Sequence, residues 1–106
     1  MQIDELTKFT MLFDQYGKLL SEKQYSVMDK FLNLDISESE MAELEKATRQ
    51  SIHDAITKAK KQLIEFENKC GFVKQKTNLL SELNSLCKNT NDEMTKKELK
   101  KIITKI

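Results

Sequence analysis

Apolar residues stand at Ile52, Ile56, Ala59, Leu63, Phe66 and Cys70, in steps of four, three, four, three and four. That alternation keeps one side of an α-helix apolar for about five turns. A strand cannot use it, because strand side chains change face at every residue. The chain has no proline, and its two glycines, Gly17 and Gly71, lie outside this run. A long helix is therefore the frame for everything else. With 33% charged and 39% apolar residues, and Lys, Glu and Leu prominent, the pattern predicts an all-α protein.

Start and stop signals divide the rest. Residues 4–20 read as a first helix, with Leu6, Phe9, Phe13, Tyr16 and Leu20 on one face and Leu12 and Leu19 widening it. Gly17 inside that helix costs about 1 kcal/mol of propensity, which implies close approach of another helix. Ser21 and Gln24 have capping-box spacing, so a second helix follows, with Tyr25, Met28, Phe31 and Leu32 inward. Asn33 and Asp35 break it. Ser37 and Glu40 repeat the capping pattern before a short third helix over 38–45, with Met41 and Leu44 inward. Thr48 caps the long fourth helix, and Gly71 ends it. A fifth helix covers about 73–87, with Leu79, Leu80, Leu83, Leu86 and Cys87 on one side. The linker "KNTND" leads into a basic amphipathic tail, in which Leu99, Ile102, Ile103 and Ile106 face one way among lysines. These readings place a helical domain over 1–87 and the tail over 88–106.

Several functional classes lack their residues. No glycine-rich phosphate loop is present, and no Ser or Cys stands at a telling spacing from His53, so no enzyme is expected. Cys70, Cys87 and His53 fall short of the four ligands of a structural zinc site, so neither metal nor cofactor is expected. No basic segment followed by an apolar run opens the chain, and no apolar stretch approaches the roughly 18 residues of a membrane span. The expected location is the cytoplasm, where the two cysteines remain thiols.

The formal net charge of +1 conceals a division. Residues 1–47 carry five basic and ten acidic side chains, a net of −5; residues 48–106 carry 13 and seven, a net of +6. The fourth helix lies at the start of the basic half. A short helix, a tight turn and a capped second helix make a helix-turn-helix, here over residues 37–59. With Ile52 at zero and about 100° per residue, Ile56, Ala59 and Leu63 fall within roughly 40° of it. Arg49, Gln50, His53, Thr57, Lys60 and Lys61 occupy an arc from about 60° to 180°. Arg can donate two bonds to guanine and Gln can bridge adenine. Thr48 and the amides of the helix start can hold a phosphate, and Lys58, Lys60 and Lys61 add salt-sensitive phosphate contacts. Asp54, at about 200°, lies beside this arc and would repel phosphate.

Three segments, "MLFDQYGKLLSEKQ", "ISESEMAE" and "TRQSIHDAI", resemble the YlxM-type family of small bacterial helix-turn-helix proteins, which are similar to region four of sigma factors. The resemblance covers roughly residues 5–86. It implies a sigma region 4-like helical bundle, with Thr48, Arg49 and Gln50 opening the recognition helix. Genes of the family tend to neighbour those of the signal recognition particle protein and its receptor. The resemblance therefore implies a DNA-binding regulator that takes part in the signal recognition particle pathway. The alternative is an interaction module that contacts the particle's protein or RNA without binding DNA. Two positions depart from the family pattern: Lys46 stands where a Gly or Asn is usual, and Glu45 where an apolar residue is usual, with Leu44 offering a replacement by a small shift. The seam from Ile52 to Cys70 also runs past the reach of the short third helix. Either the first and fifth helices cover it or a second copy does, and a homodimer is the expectation.

Overall fold

The computed structural model describes residues 3–106 and contains helices with no strand among those residues. The elements are α1 (Ile3–Tyr16), a 3-10 turn (Gly17–Leu19), α2 (Glu22–Leu32), α3 (Glu38–Leu44), α4 (Arg49–Cys70), α5 (Phe72–Asn89) and α6 (Glu93–Thr104). They form two compact units, Met1–Cys70 and Gly71–Ile106. The division falls at Gly71, whereas the sequence reading placed it after Cys87. The physical reason is that α6 packs on α5, so the expected tail is half of a helical hairpin.

In the first unit α1 buries Phe9, Leu12, Phe13 and Tyr16. The α-helical hydrogen bonding ends at Tyr16, and a tighter turn carries the chain through Gly17–Leu19. The change of pitch swings Leu19 outward, although Leu20 still reaches the core. Leu6, expected inward, sits exposed near the start of the helix. Gly17 stands where space is tight. A Cβ there would lie 3.0 Å from the Phe13 ring and 3.4 Å from that of Tyr25. The expected close approach is thus that of α2, whose Tyr25 ring packs 5.0 Å from Phe13.

Helix α2 begins with the complete capping box: the Ser21 hydroxyl accepts from the Gln24 amide, and the Gln24 side chain accepts from the Ser21 amide. Its buried residues are Val27 and Met28. Val27 was absent from the expected face, and Tyr25 is more exposed than expected. Packing explains both, since α2 meets α1, α3 and α4 and so needs a wider apolar arc than a single stripe. Asp35 adopts a left-handed φ of 53° in the turn that follows, a conformation Asp tolerates better than most residues.

The seam of α4 is intramolecular core. Ile52, Ile56, Ala59 and Leu63 are all buried, and α1, α2 and α3 are the helices that pack on α4 in this unit. Phe66 is half-buried with its ring 6.0 Å from that of Tyr16, whose hydroxyl donates to Glu67. Cys70 is exposed. Helix α1 thus covers the seam as far as Phe66, and its last position, Cys70, is left exposed.

The second unit starts at Gly71, whose φ of 67° lies in the left-handed region. Nothing lies within 4 Å of where its Cβ would be, so the need for glycine is purely conformational. Asp92 caps α6 by accepting from the Met94 amide at 3.1 Å and the Thr95 hydroxyl at 2.8 Å. These bonds, the Thr95 one foremost, hold the Asp92 carboxyl below its ordinary pKa. Leu99 is the buried residue of α6, and α5 has none.

Candidate nucleic-acid interface

The helix-turn-helix is built from α3, a turn over residues 45–48, and the first turns of α4. The Ser37 hydroxyl starts α3 by accepting from the Glu40 amide. The reciprocal bond of a capping box is replaced here, because the Glu40 carboxylate accepts from the Ser37 hydroxyl at 3.1 Å. Met41 is fully buried, but Leu44, expected inward, is 66% exposed. It therefore does not replace the apolar residue missing at position 45. The Glu45 side chain meets the need differently, through an ion pair with Lys30 of α2 at 2.5 Å.

The turn closes in a Schellman arrangement. The Ala47 amide donates to the Ala42 carbonyl at 3.0 Å and the Lys46 amide to the Glu43 carbonyl at 3.4 Å. Lys46 takes the left-handed conformation, φ 53°, at the position where Gly or Asn is favoured. The departure at position 46 thus changes the cost of the turn, by about 1 kcal/mol, and leaves its path intact. Thr48 then caps α4: its hydroxyl accepts from the Ser51 amide at 3.1 Å, and its carbonyl accepts from the Ser51 hydroxyl at 3.0 Å.

With the seam sunk into the core, Thr48, Arg49, Gln50, His53, Thr57, Lys58 and Lys61 are exposed. Lys60 is set apart from them. Its side chain is 23% exposed and lies 4.0 Å from Glu5, with the ammonium over the rings of Phe9 and Phe31 at 5.1 and 5.5 Å. Helical angle alone put it on the polar arc; two turns beyond His53, that arc runs beneath α1 and α2.

Carboxylates enter this face. The His53 Nδ1 lies 3.1 Å from Glu38, and the Gln50 side-chain amide donates to Asp54 at 2.9 Å. Glu38, Arg49, Gln50 and His53 line an open depression of about 400 Å³ at the start of α4. A neighbouring groove of about 370 Å³ runs from Ser51, Asp54, Ala55 and Lys58 to Ser21, Lys23 and Gln24 of the α2 start. Glu38 and the α2 residues were missed as part of this surface. Each is far from α4 in the sequence, and no local pattern signals the juxtaposition. Chemically the surface offers one guanidinium, two exposed lysines on α4 and Lys23 beside them for an anionic backbone. Its Gln and His must exchange a carboxylate for a base edge before they can read one.

A family model described as "Putative helix-turn-helix protein, YlxM / p13 like" matches residues 3–106. A UPF0122 protein of Clostridium perfringens (strain 13 / Type A) is 42% identical over 98 residues, covering 85% of each chain. One from Clostridium botulinum (strain Alaska E43 / Type E3) is 41% identical over 73 residues, covering 69% of this chain and 67% of its own. Another, from Clostridium novyi (strain NT), is 32% identical over 90 residues, covering 85% and 78%. With the capped pair of helices and the Schellman turn between them, these matches establish that the chain belongs to the YlxM / p13-like family of helix-turn-helix proteins.

Proposed function

We propose that this protein is a non-catalytic, cytoplasmic DNA-binding regulator that lays the opening turns of α4 in the major groove of a duplex. The observation that carries the reading is the division of α4 by the turn before it. One side, Ile52 to Leu63, is sealed in the core, while Arg49, Gln50, His53, Thr57, Lys58 and Lys61 stand on exposed positions. In this role Arg49 reads a guanine edge and Gln50 an adenine edge. Lys58 and Lys61, with Lys23 of α2, position the duplex through its phosphates. Lys60 takes no part. Two copies acting together match two half-sites about one helical turn apart.

Fluorescence anisotropy on mixed-sequence duplexes tests this. Binding is expected at about 50 mM salt, weakening roughly tenfold or more by about 200 mM. Arg49→Ala is expected to cost about 1–3 kcal/mol of affinity. Absence of binding at the lower salt overturns the reading.

A second reading is favoured by the carboxylates on the same face. Glu38 holding His53 and Asp54 holding Gln50 suit a protein contact better than a phosphate-lined groove. The family resemblance points this reading to the signal recognition particle. Pull-down from native cells should then recover the particle's protein or RNA, and recovery of neither removes it.

A further inference from the structure

A groove-reading α4 leaves one exposed side chain of that helix without a role. With Ile52 at zero and about 100° per residue, the buried seam of Ile52, Ile56, Ala59 and Leu63 centres near 10°. Asp54 falls at about 200°, almost directly opposite, with Gln50, Lys61 and Lys58 at about 160°, 180° and 240°. It is exposed. It is also the sixth residue of α4, within the opening turns that a helix-turn-helix presents to base edges. A carboxylate thus stands in the middle of the face that the turn before α4 aims outward.

The Gln50 side-chain amide donates to Asp54 Oδ1 at 2.9 Å. Lys58 and Lys61 form no ion pair with Asp54 among the described residues. A carboxylate accepts hydrogen bonds and donates none. Against a phosphate it meets like charge, and against guanine N7 and O6 or thymine O4 it meets only acceptors. The donors of the major groove are the amino groups of adenine and cytosine. The adenine amino group is flanked by acceptors on both sides, its own N7 and thymine O4. The cytosine amino group has an acceptor, guanine O6, on one side only. Cytosine is therefore the base that suits a carboxylate best.

The exchange of partners can balance. Gln50 must leave Asp54 to bridge an adenine. Where a cytosine lies close by, its amino group takes the place of the Gln50 amide on the carboxylate, and each broken hydrogen bond is replaced. Where none does, the released carboxylate faces acceptors and phosphates without a donor, and binding is weaker.

We propose that Asp54 is a specificity-determining residue: it accepts a hydrogen bond from the 4-amino group of a cytosine and, by repulsion, weakens binding to sites that lack one. The assignment rests on the reading of α4 as a groove-binding helix.

Selection from duplexes of randomised sequence at about 50 mM salt, followed by anisotropy on the selected duplex, tests it. The wild-type chain should enrich a cytosine at one position. Replacing that cytosine by 2-pyrimidinone, which lacks the amino group, should weaken wild-type binding about tenfold. Asp54→Ala should respond to the same replacement by no more than about twofold. It should also lose the cytosine preference and bind mixed-sequence duplexes more tightly than the wild type. Asp54→Asn can still accept from Gln50, and it should shift the preference toward adenine, which Asn bridges. An Asp54 that only steadied the helix would alter stability and leave base preference unmoved. Cytosine preference retained by Asp54→Ala overturns the proposal and leaves the DNA-binding role of α4 standing. So does a wild type that binds duplexes without selecting cytosine. A wild type that binds no duplex overturns both.

Discussion

The two units use the same kind of helix to opposite effect. Among the described residues, twelve of the thirteen buried apolar side chains belong to Met1–Cys70 and one, Leu99, to Gly71–Ile106. Both α4 and α5 are long and amphipathic, and both carry apolar residues at coiled-coil spacing. In α4 three helices close over the seam. In α5 one short helix covers part of the apolar arc and leaves Leu79 and Leu86 about half exposed. The difference shows that spacing identifies a helix that needs a partner, while the number of helices packed around it decides whether that need is met within the unit.

The largest test of this contrast is Leu63→Ala, which should cost about 2–5 kcal/mol because the site is enclosed. Urea unfolding read on the first unit checks it. Leu99→Ala should speed amide exchange in α5 and α6 and leave α1–α4 protected, so a shared loss across both units would break the contrast. Thr48→Ala should cost about 1 kcal/mol by freeing the Ser51 amide at the head of α4, seen as a lower urea midpoint. Lys46→Gly should stabilise the first unit by about 0.5–1 kcal/mol, since glycine takes the left-handed conformation without strain. Loss of stability there would mean that the Schellman turn is misassigned.

The smallest effect concerns Asp92. Its carboxyl titrates below the ordinary value when α6 is folded. The cap therefore stabilises α6 above the unfolded-state pKa, and the contribution fades as pH falls through the folded one. Asp92→Ala should remove that acid-side dependence from amide exchange in α6 while the first unit is unaffected.

Much of this was legible in residue patterns because the signals are local. Ser21 and Gln24 announce a capping box, Thr48 a cap and Gly71 a left-handed stop, and each forms its motif within a few residues. Gly17 announced close approach, though not that the α-helix would tighten there. The Arg49–Lys61 arc could be drawn from helical angles alone, and Lys60 shows the limit. Its angle matches that of the exposed side chains, but Phe9, Phe31 and Glu5 come from elsewhere in the chain to cover it. Glu38 against His53 and Lys30 against Glu45 are also contacts at long sequence separation, invisible to periodicity. For the same reason Leu44 could be placed beside Met41 on an inward face from which only Met41 reaches the core.

The most direct measurement of the central claim is an amide chemical-shift map of the isotopically labelled full chain, titrated with a duplex at low salt. The account predicts perturbations concentrated from Thr48 to Asp54 and at Thr57, Lys58, Lys61 and Lys23, with Lys60, Leu79 and Leu86 quiet. Perturbations confined to α5 and α6, with the start of α4 silent, would contradict it.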